Sequence, residues 1–561
     1  MRNKGFHARL VIMIFVFIFV MTGCGTAANT NTNTNSTTAN TITATEPAPA
    51  STGENKVTNM TWDSPDISWK KDTSPVKLSI FIDYDWYVVD TWGKDDVSKE
   101  ITKRTGVSLD VTKGSDLNQL QVLLASDMLP DIVFTENQIN RFQSTDISYA
   151  WDELISKNCP EFKDLVDPIE IVNNTADDGH FYTLTTHYIS NKDWENPKSL
   201  PSNGSPGFYY REDIMNELGN PPMDTFDDLV NVFKQVKEKY PDMSAYLPVW
   251  GWGDPFMQFM GLQDPNQPYI KADGTVGIGV SQPNMIDYYL FYNRLVREGY
   301  LAKETFTLKS TQWAQIMYTG KVFSAARNCY VQDMMNLYYD DNGIKAKFTP
   351  LLHSLKYNGE DKYMAFDTGI GWSSTFITKK CQNPERAIKF MEFLKSPEGD
   401  CLSQWGIEGV HYTLTSDGLP KYLPGFEKAE EVDTGIGAWY FQASGLGEGV
   451  RDFATTINNP KYATRVDLLK FVKAHFKRNP ELNFTQPLAD TEEANIAVSI
   501  RDLVANASVG VIIAASEEQA RENFNKMMDD VEKIGLSRLE AYKTQAYQKV
   551  KPKYDAIKQA K

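Results

Sequence analysis

Between residues 76 and 135 the sequence alternates strand-like and helix-like segments, and this alternation constrains the fold more than any other feature. The segments are, in order, an apolar strand pattern at 76–82, a helix pattern at 95–105, a strand pattern at 107–111, a leucine-rich helix pattern at 115–127 and a strand pattern at 131–135. Strands that alternate with helices favour a mainly parallel, doubly wound sheet with helices on its faces. The sequence therefore predicts an α/β fold.

Polar and aromatic residues follow two of these predicted strands. Asp83 and Trp86 come after the first strand, and Glu136 comes directly after the third. Because ligands of doubly wound sheets bind at the carboxyl ends of the strands, these three side chains are candidates for a ligand cleft. A surface position for Asp83 and a core position for Trp86 are the alternatives.

Residues 207–248 contain a predicted strand and two predicted helices. A strand-like segment at 208–210 leads into a short helix that ends at Gly219, and a second helix begins near Thr225. Thr225 and Asp228 have the spacing of a capping box. The apolar residues of the second helix recur at helical spacing and form one stripe: Phe226, Leu229, Val230, Phe233 and Val236. Periodicity alone does not distinguish this segment from the helix pair of any α/β protein.

The amino terminus has the pattern of a bacterial export signal. Basic residues at positions 2, 4 and 9 precede an unbroken apolar run at 10–21, which is short for a membrane span but typical of a signal-peptide core. Met21-Thr22-Gly23-Cys24 then resembles the lipobox of bacterial lipoproteins. We predict a signal peptide at 1–23, lipid attachment at Cys24 and a flexible tether at 24–72, where Asn, Thr, Ser, Ala and Pro predominate. An ordinary secretory signal with a chance cysteine is the alternative.

Charge and motifs exclude several classes of function. The 57 basic and 73 acidic residues give a net charge of -16, which argues against nucleic acid or an anionic membrane surface as the main partner. The sequence contains no GxSxG, HExxH or P-loop motif, and its six histidines show no metal-ligand spacing. We therefore assign no catalytic residue, no cofactor and no metal. A glycosidase needs only two suitably spaced carboxylates, so this class stays open.

Aromatic residues are the strongest indication of ligand binding. Flat rings can cover the apolar faces of sugars, while carboxylates and other polar groups bind the hydroxyls. Trp372 and Trp439 each follow a TGIG segment. The candidate ligand-binding residues are Asp83, Trp86, Glu136, Trp250, Trp252, Trp313, Arg327, Trp372, Glu408, Trp439 and Tyr440. For each ring, packing in the core or at a hinge is the alternative.

Several segments, in their order along the chain, resemble one protein family. The segments are 129–132 (LPDI), 209–228 (YYRED…LG…P…TFDD), 294–299 (RLVREG), 383–390 (NPERAIKF), 396–399 (SPEG) and 406–412 (GIEGVHY). Together with the lipobox, they are similar to the extracellular solute-binding proteins of bacterial ABC importers. The resemblance covers about residues 75 to 555 and is strongest to the large lipoprotein branch of family 1, whose wider group includes maltodextrin-binding protein.

This resemblance implies a two-lobed periplasmic-binding-protein-like fold, in which each lobe is a mainly parallel sheet flanked by helices. The ligand would bind in the cleft at the hinge, and closure would be a hinge motion. It implies a first lobe at 73–205 plus 366–412 and a second lobe at 206–365 plus 413–561. We expect a monomer that binds an oligosaccharide, delivers it to the transmembrane subunits of an ABC permease, and contacts the membrane only through its lipid anchor. A secreted carbohydrate-active enzyme of glycoside hydrolase type and a binding protein for a peptide or other small solute are the alternatives.

One segment departs from the family pattern. Relatives often carry an acidic, glycine-containing calcium loop after the second helix of the 207–248 stretch. Residues 238–248 lack the glycines and offer only Glu238 and Asp242 as hard ligands, too few for calcium. We therefore predict that this segment holds no metal.

Overall fold

The computed structural model describes residues 62, 64–85, 87, 89–114, 118–201, 205–250, 254–329, 331–367, 369–426, 434–457, 463–487 and 491–560. The predicted signal peptide, Cys24 and most of the predicted tether lie outside the described residues. Two candidate ligand-binding residues, Trp86 and Trp252, also lie outside them.

Strands and helices alternate along most of the described chain. The strands are β1 (Val76–Ile82), β2 (Val107–Lys113), β3 (Ile132–Thr135), β4 (Pro206–Arg211), β5 (Ser244–Pro248), β6 (Pro268–Ile270), β7 (Val276–Ile278), β8 (Val322–Asn328), β9 (Phe348–Pro350), β10 (Ala365–Asp367), β11 (Ser374–Ile377), β12 (Tyr412–Leu414), β13 (Pro420–Tyr422) and β14 (Phe476–Arg478). The α-helices are Asp96–Thr105, Gln119–Ala125, Ile139–Phe142, Trp151–Asn158, Pro168–Asn174, Asn191–Trp194, Glu212–Glu217, Phe226–Lys239, Pro255–Phe259, Met285–Arg297, Ser310–Tyr318, Val331–Asp341, Pro384–Lys395, Pro397–Trp405, Gly445–Ile457, Ala463–Ala474, Glu492–Ile512, Glu517–Ile534 and Leu536–Ala560. Short 3-10 helices are Ser68–Lys71, Pro160–Leu165, Gly279–Ser281, Lys303–Thr307 and Pro480–Thr485.

The first sheet has the strand order β11-β3-β1-β2. β1 is parallel to both β2 and β3, as the strand and helix alternation predicts, whereas β11 is antiparallel to β3. Side chains that alternate along β1 point to opposite faces, so Leu78 and Ile80 join one apolar core and Phe81 joins another. Helices therefore cover both faces of this sheet.

The second sheet has the order β5-β8-β4-β9 and is mixed. β5 and β8 are parallel, but β4 is antiparallel to both of its neighbours. β5, β8 and β9 therefore run in one direction and only β4 is reversed, so the sheet is mainly parallel, as the family resemblance implies. The reversal of β4 was not predicted, because it depends on the edge at which the chain enters the sheet. The capping box at Thr225 is confirmed: the Asp228 carboxylate accepts the Thr225 N–H at 3.0 Å, and the Asp228 N–H donates to Thr225 Oγ1 at 3.1 Å.

Three segments connect the parts of the chain that hold the two sheets, and they lie side by side. We name them the first connection (residues 186–201), the second connection (369–373) and the third connection (440–445). The Thr186 N–H donates to the Ser373 carbonyl at 2.8 Å, and the His187 N–H donates to the Ala443 carbonyl at 2.8 Å. This arrangement provides a three-segment hinge between the sheets.

The carboxyl ends of the parallel strands adjoin these connections in both sheets. Ser374, which follows the second connection, pairs with Thr135 at the end of β3. Pro206, which follows the first connection in the chain, pairs with Asn328 at the end of β8. The two edges that topology assigns to ligand binding are therefore the edges next to the hinge.

Two segments pack with the first sheet outside the predicted limits of the first lobe. Ile67 is fully buried and Trp69 packs edge-on against Phe393, with 4.8 Å between ring centroids, so folded structure begins before residue 73. Ile436 and Phe441 belong to the same apolar core as Leu78. This packing favours a first lobe that takes in residues beyond 412, although the lobe limits stay a prediction.

Helix Glu492–Ile512 has the length and apolar composition of a membrane span, with a mean hydropathy of 1.2 over its most apolar window. Ile496, Ile500 and Val504 are, however, buried in the core that contains the second sheet. Its neighbours in space are helices Met285–Arg297 and Glu517–Ile534. One face of the helix is therefore packed in this core, whereas Val498 on the same helix is 47% exposed.

Candidate functional site

A group of rings lies where the carboxyl edge of the first sheet meets the three connections. We call Tyr84, Phe134, His187, Trp372 and Tyr440 the ring cluster. The Trp372 centroid lies 5.3 Å from Tyr84, 6.1 Å from Tyr440 and 6.2 Å from His187, and the His187 and Trp372 ring planes are within 29° of parallel. Trp372 is 39% exposed, whereas Tyr84 and Phe134 are buried. The cluster therefore presents one indole ring to solvent on a base of packed rings.

A tight turn sets the position of Trp372. Gly371, directly before it, has φ +80°, and a Cβ atom there would lie 1.9 Å from the Thr186 carbonyl oxygen. Only glycine fits a positive φ at such close approach to backbone. Gly371 thus allows the second connection to lie directly against the first.

Asp83 and Glu136 lie at the same edge and differ in environment. Asp83 is buried and its Oδ2 accepts hydrogen bonds from Thr135 Oγ1 at 2.7 Å and from Asn137 Nδ2 at 2.9 Å. Asp83 therefore ties together the loops that follow β1 and β3. Glu136 keeps an exposed carboxylate; partial desolvation and the nearby Asp83 charge raise its pKa.

Tyr84 contributes a hydroxyl to the site. Its oxygen lies 2.7 Å from Ser373 Oγ on the second connection. Burial raises the pKa of Tyr84 well above its ordinary value, so the phenol stays neutral even in alkaline solution. It can therefore both donate and accept a hydrogen bond.

At the carboxyl edge of the second sheet, Arg327 is the charged candidate. Its guanidinium lies 4.8 Å from the centroid of the Trp313 ring, in cation–π geometry. Trp313 is buried, and its Nε1 donates to the Leu247 carbonyl at 3.2 Å. The buried Trp313 ring thus packs against one side of the Arg327 guanidinium. Arg327 itself is half-buried at the end of β8.

Trp250 follows β5 and is half-buried against the second core. Its ring packs edge-on against Tyr292 and Phe306, with centroid separations of 5.4 and 5.0 Å.

Asp254, which sequence reasoning missed, accepts hydrogen bonds from the hydroxyls of Tyr288, at 2.8 Å, and Tyr292. Burial raises the pKa of Asp254. The Asp-Pro pair at the start of helix Pro255–Phe259 is the sequence signal that indicates such a fixed position.

The other two candidates lie apart from the ring cluster in different ways. Trp439 is 0% exposed, and its Nε1 donates to Asp95 Oδ2 at 3.0 Å. It lies in the core behind the cluster, which was the alternative for every ring. Glu408 is exposed, and its charge acts on Cys401 and Tyr412.

Two surface cavities lie elsewhere. One of about 600 Å³ is lined by Trp92, Thr102 and Leu109 beside β2, and one of about 480 Å³ by Phe226, Phe291 and Tyr357 among others. No candidate residue lines either cavity. Within the described ranges, no group of three or more His, Cys, Asp or Glu side chains is placed to hold a metal ion.

Comparison with known proteins identifies the family. Residues 94–400 match the family model described as bacterial extracellular solute-binding protein. The chain belongs to this family. Lipoprotein LipO of Bacillus subtilis (strain 168) is 24% identical over 347 residues, which cover 57% of this chain and 64% of LipO. The match therefore spans less than two thirds of that relative's length.

Solved structures share the fold. An S. pneumoniae ABC-transporter substrate-binding protein, FusA, crystallised with kestose, is 17% identical with a TM-score of 0.64 and covers 85% of this chain and 100% of its own. An HMO-binding solute-binding protein from Bifidobacterium longum infantis is 14% identical with a TM-score of 0.65, covering 85% and 99%. The alginate-binding protein AlgQ2, solved without calcium ion, is 18% identical with a TM-score of 0.62, covering 85% and 98%. These similarities confirm the predicted two-lobed α/β fold of periplasmic binding proteins.

Proposed function

We propose that the protein is the substrate-binding component of an ABC importer. In this proposal it captures an oligosaccharide between its two lobes, closes about the three connections, and delivers the ligand to the transmembrane subunits of a permease. The observation that carries the proposal is the ring cluster, with Trp372 partly exposed beside the hinge. An exposed indole on a rigid base suits the apolar face of a sugar ring.

Polar groups around Trp372 complement the ring. The Glu136 carboxylate follows Thr135 at the same edge as the indole and is exposed, so it can bind sugar hydroxyls. Arg327 would bind the ligand from the second lobe, because it lies at the corresponding edge of the second sheet. We propose that Asp83, Tyr84 and Trp313 position these groups rather than contact the ligand, since all three are buried.

The named relatives support a carbohydrate ligand and a lipid anchor. FusA was crystallised with kestose, a second neighbour is named for HMO binding and AlgQ2 for alginate binding. LipO is named as a lipoprotein, which agrees with the proposed lipid attachment at Cys24. We accordingly propose a monomer anchored at the extracytoplasmic face of the cell membrane, without enzymatic activity. We also propose that the first lobe takes in residues 434–443, because Ile436 and Phe441 pack in its core.

A thermal-shift screen with neutral and acidic oligosaccharides tests the proposal. We expect at least one sugar to raise the melting temperature, and mass spectrometry to recover that sugar unchanged. The variant Trp372→Ala should strongly reduce the shift, while the control Val498→Ala, which shortens an exposed apolar side chain on helix Glu492–Ile512, should retain it. Recovery of shortened sugars would instead support a glycoside hydrolase, and stabilisation by peptides alone would support a peptide-binding protein.

A further inference from the structure

Arg478, at the end of β14, contacts two of the three connections. Its guanidinium donates to the Ile189 and Ser190 carbonyls on the first connection, the latter at 3.2 Å. The same group donates to the Gly369 carbonyl on the second connection at 3.4 Å. A side chain at the end of β14 thus contacts both the first and the second connection, which lie more than a hundred residues earlier in the chain.

The approach of Arg478 to Gly369 is unusually close. Gly369 has φ +66°, and a Cβ atom there would lie 1.9 Å from Arg478 Nη2. The guanidinium therefore occupies the space that any other residue at position 369 would need. On its other side, the guanidinium lies 5.1 Å from the centroid of the Trp194 ring, also on the first connection.

Gly369 begins the turn that ends at Trp372. At its start, the Gly369 carbonyl accepts from Arg478 and from the Ile189 N–H, each at 3.4 Å. At its end, the Trp372 N–H donates to the Thr186 carbonyl at 3.3 Å. Both fixed points lie against the first connection. The direction of the Trp372 ring thus depends on how the second connection is held against the first.

We propose that Arg478 is a positioning residue for Trp372, holding the second connection so that the indole faces the ligand. This inference rests on the proposed function, because it assigns Trp372 to the ligand. The planar, forked guanidinium is suited to the role, since several donors reach different carbonyls at once while one face lies over Trp194. A lysine would keep the charge but lose the fork.

Lys473 provides a matched control. It lies over the same Trp194 ring at 5.2 Å, but donates to the Asn196 and Ser199 carbonyls, both on the first connection. Lys473→Met therefore removes a cation close to Arg478 and two side-chain hydrogen bonds to backbone carbonyls. It removes no contact with Gly369. If Arg478 acts through the second connection, its substitution should affect Trp372, whereas substitution of Lys473 should not.

The first experiment needs no ligand. Full-length protein labelled with fluorotryptophan gives a fluorine NMR signal for Trp372, assigned by its loss in Trp372→Phe. We expect Arg478→Met and Arg478→Lys to shift or broaden that signal, and Lys473→Met to leave it in place. Gly369→Ala, which would displace the guanidinium from the other side, should give the same change. An unchanged Trp372 signal in folded Arg478→Lys and Gly369→Ala would overturn the inference.

The second experiment is a double-mutant cycle on binding of the sugar found by thermal shift. Arg478→Met should raise Kd roughly tenfold, the order expected when charge-assisted hydrogen bonds that fix a contact are lost. In a Trp372→Ala background the same change should have no further effect. Full additivity would contradict the proposal and indicate general destabilisation. If Trp372→Ala alone leaves Kd unchanged, the proposed ligand site is wrong, and the NMR experiment still decides the role of Arg478.

Discussion

Glu392 should make the stability of this protein depend on pH. The side chain lies on helix Pro384–Lys395, is 0% exposed, and accepts the Trp69 N–H on Oε2 at 3.1 Å. Burial, and after it the nearby Glu161 carboxylate, raise the pKa of Glu392 to about 8. The ordinary value is 4.5. Between these values the folded protein keeps a proton that the unfolded chain has released.

The sign and size of the effect follow from this difference in bound protons. Stability contributed by the protonated carboxyl is fully present below pH 4.5 and is lost as pH rises to about 8. Each pH unit in this window costs about 1.4 kcal/mol, so the loss approaches roughly 4 to 5 kcal/mol. Glu392→Gln mimics the neutral acid and should remove this slope.

Urea unfolding at pH 5 to 8.5, followed by tryptophan fluorescence, tests the prediction. We expect wild type and Glu392→Gln to unfold at similar urea concentrations near pH 5. At pH 8.5 the variant should be more stable by several kcal/mol. Glu385→Gln is the control, because Glu385 lies on the same helix but is exposed and paired with Lys389. A stability difference between Glu392→Gln and wild type that does not change with pH would refute the reasoning.

Three further predictions follow from the site and the core. Trp372→Ala should weaken sugar binding about tenfold or more by calorimetry with little change in melting temperature, because the ring is partly exposed; unchanged affinity would argue against the ring cluster. Gly371→Ala should lower the unfolding free energy by several kcal/mol in urea titration, since its Cβ would clash with the Thr186 carbonyl; wild-type stability would contradict the turn geometry. Burial lowers the pKa of Lys543 to about 8 from 10.5, so the wild-type protein gains stability as pH rises between these values. Lys543→Met should lack that gain, and parallel pH profiles of the two proteins would refute it.

Local patterns predicted the elements that depend on neighbouring residues. β1 has the predicted limits of 76–82, and the capping box at Thr225 forms as its spacing indicates. A helix cap needs only residues three apart, and a buried strand needs only a run of apolar side chains. The antiparallel direction of β4 was not predicted, because strand direction is set by contacts between segments far apart in the chain.

Topology predicted where some of the candidate residues lie, and packing decided the positions of the others. Topology assigned Asp83 and Glu136 to the carboxyl edge of the first sheet, and the structure places both of them there. Topology also assigned the loop that holds Tyr84 to this edge, although the Tyr84 ring was not among the candidates. His187 was missed, since it stands in no motif. Arg478 was missed because its partners lie on other segments and no local pattern marks it. The Asp-Pro pair marks Asp254 as the start of a helix, but the tyrosines that donate to it lie on another helix.

Trp372 and Trp439 illustrate where sequence information ended. Each follows a TGIG segment, and both glycines of each segment have a positive φ, which glycine tolerates. Only the tertiary structure decided their exposure. Trp439 is covered by Trp92, at 4.8 Å, and bonds to the buried Asp95, whereas Trp372 packs on the ring cluster from one side and meets solvent on the other. Burial depends on what distant segments bring over a side chain, and a local motif does not contain that information.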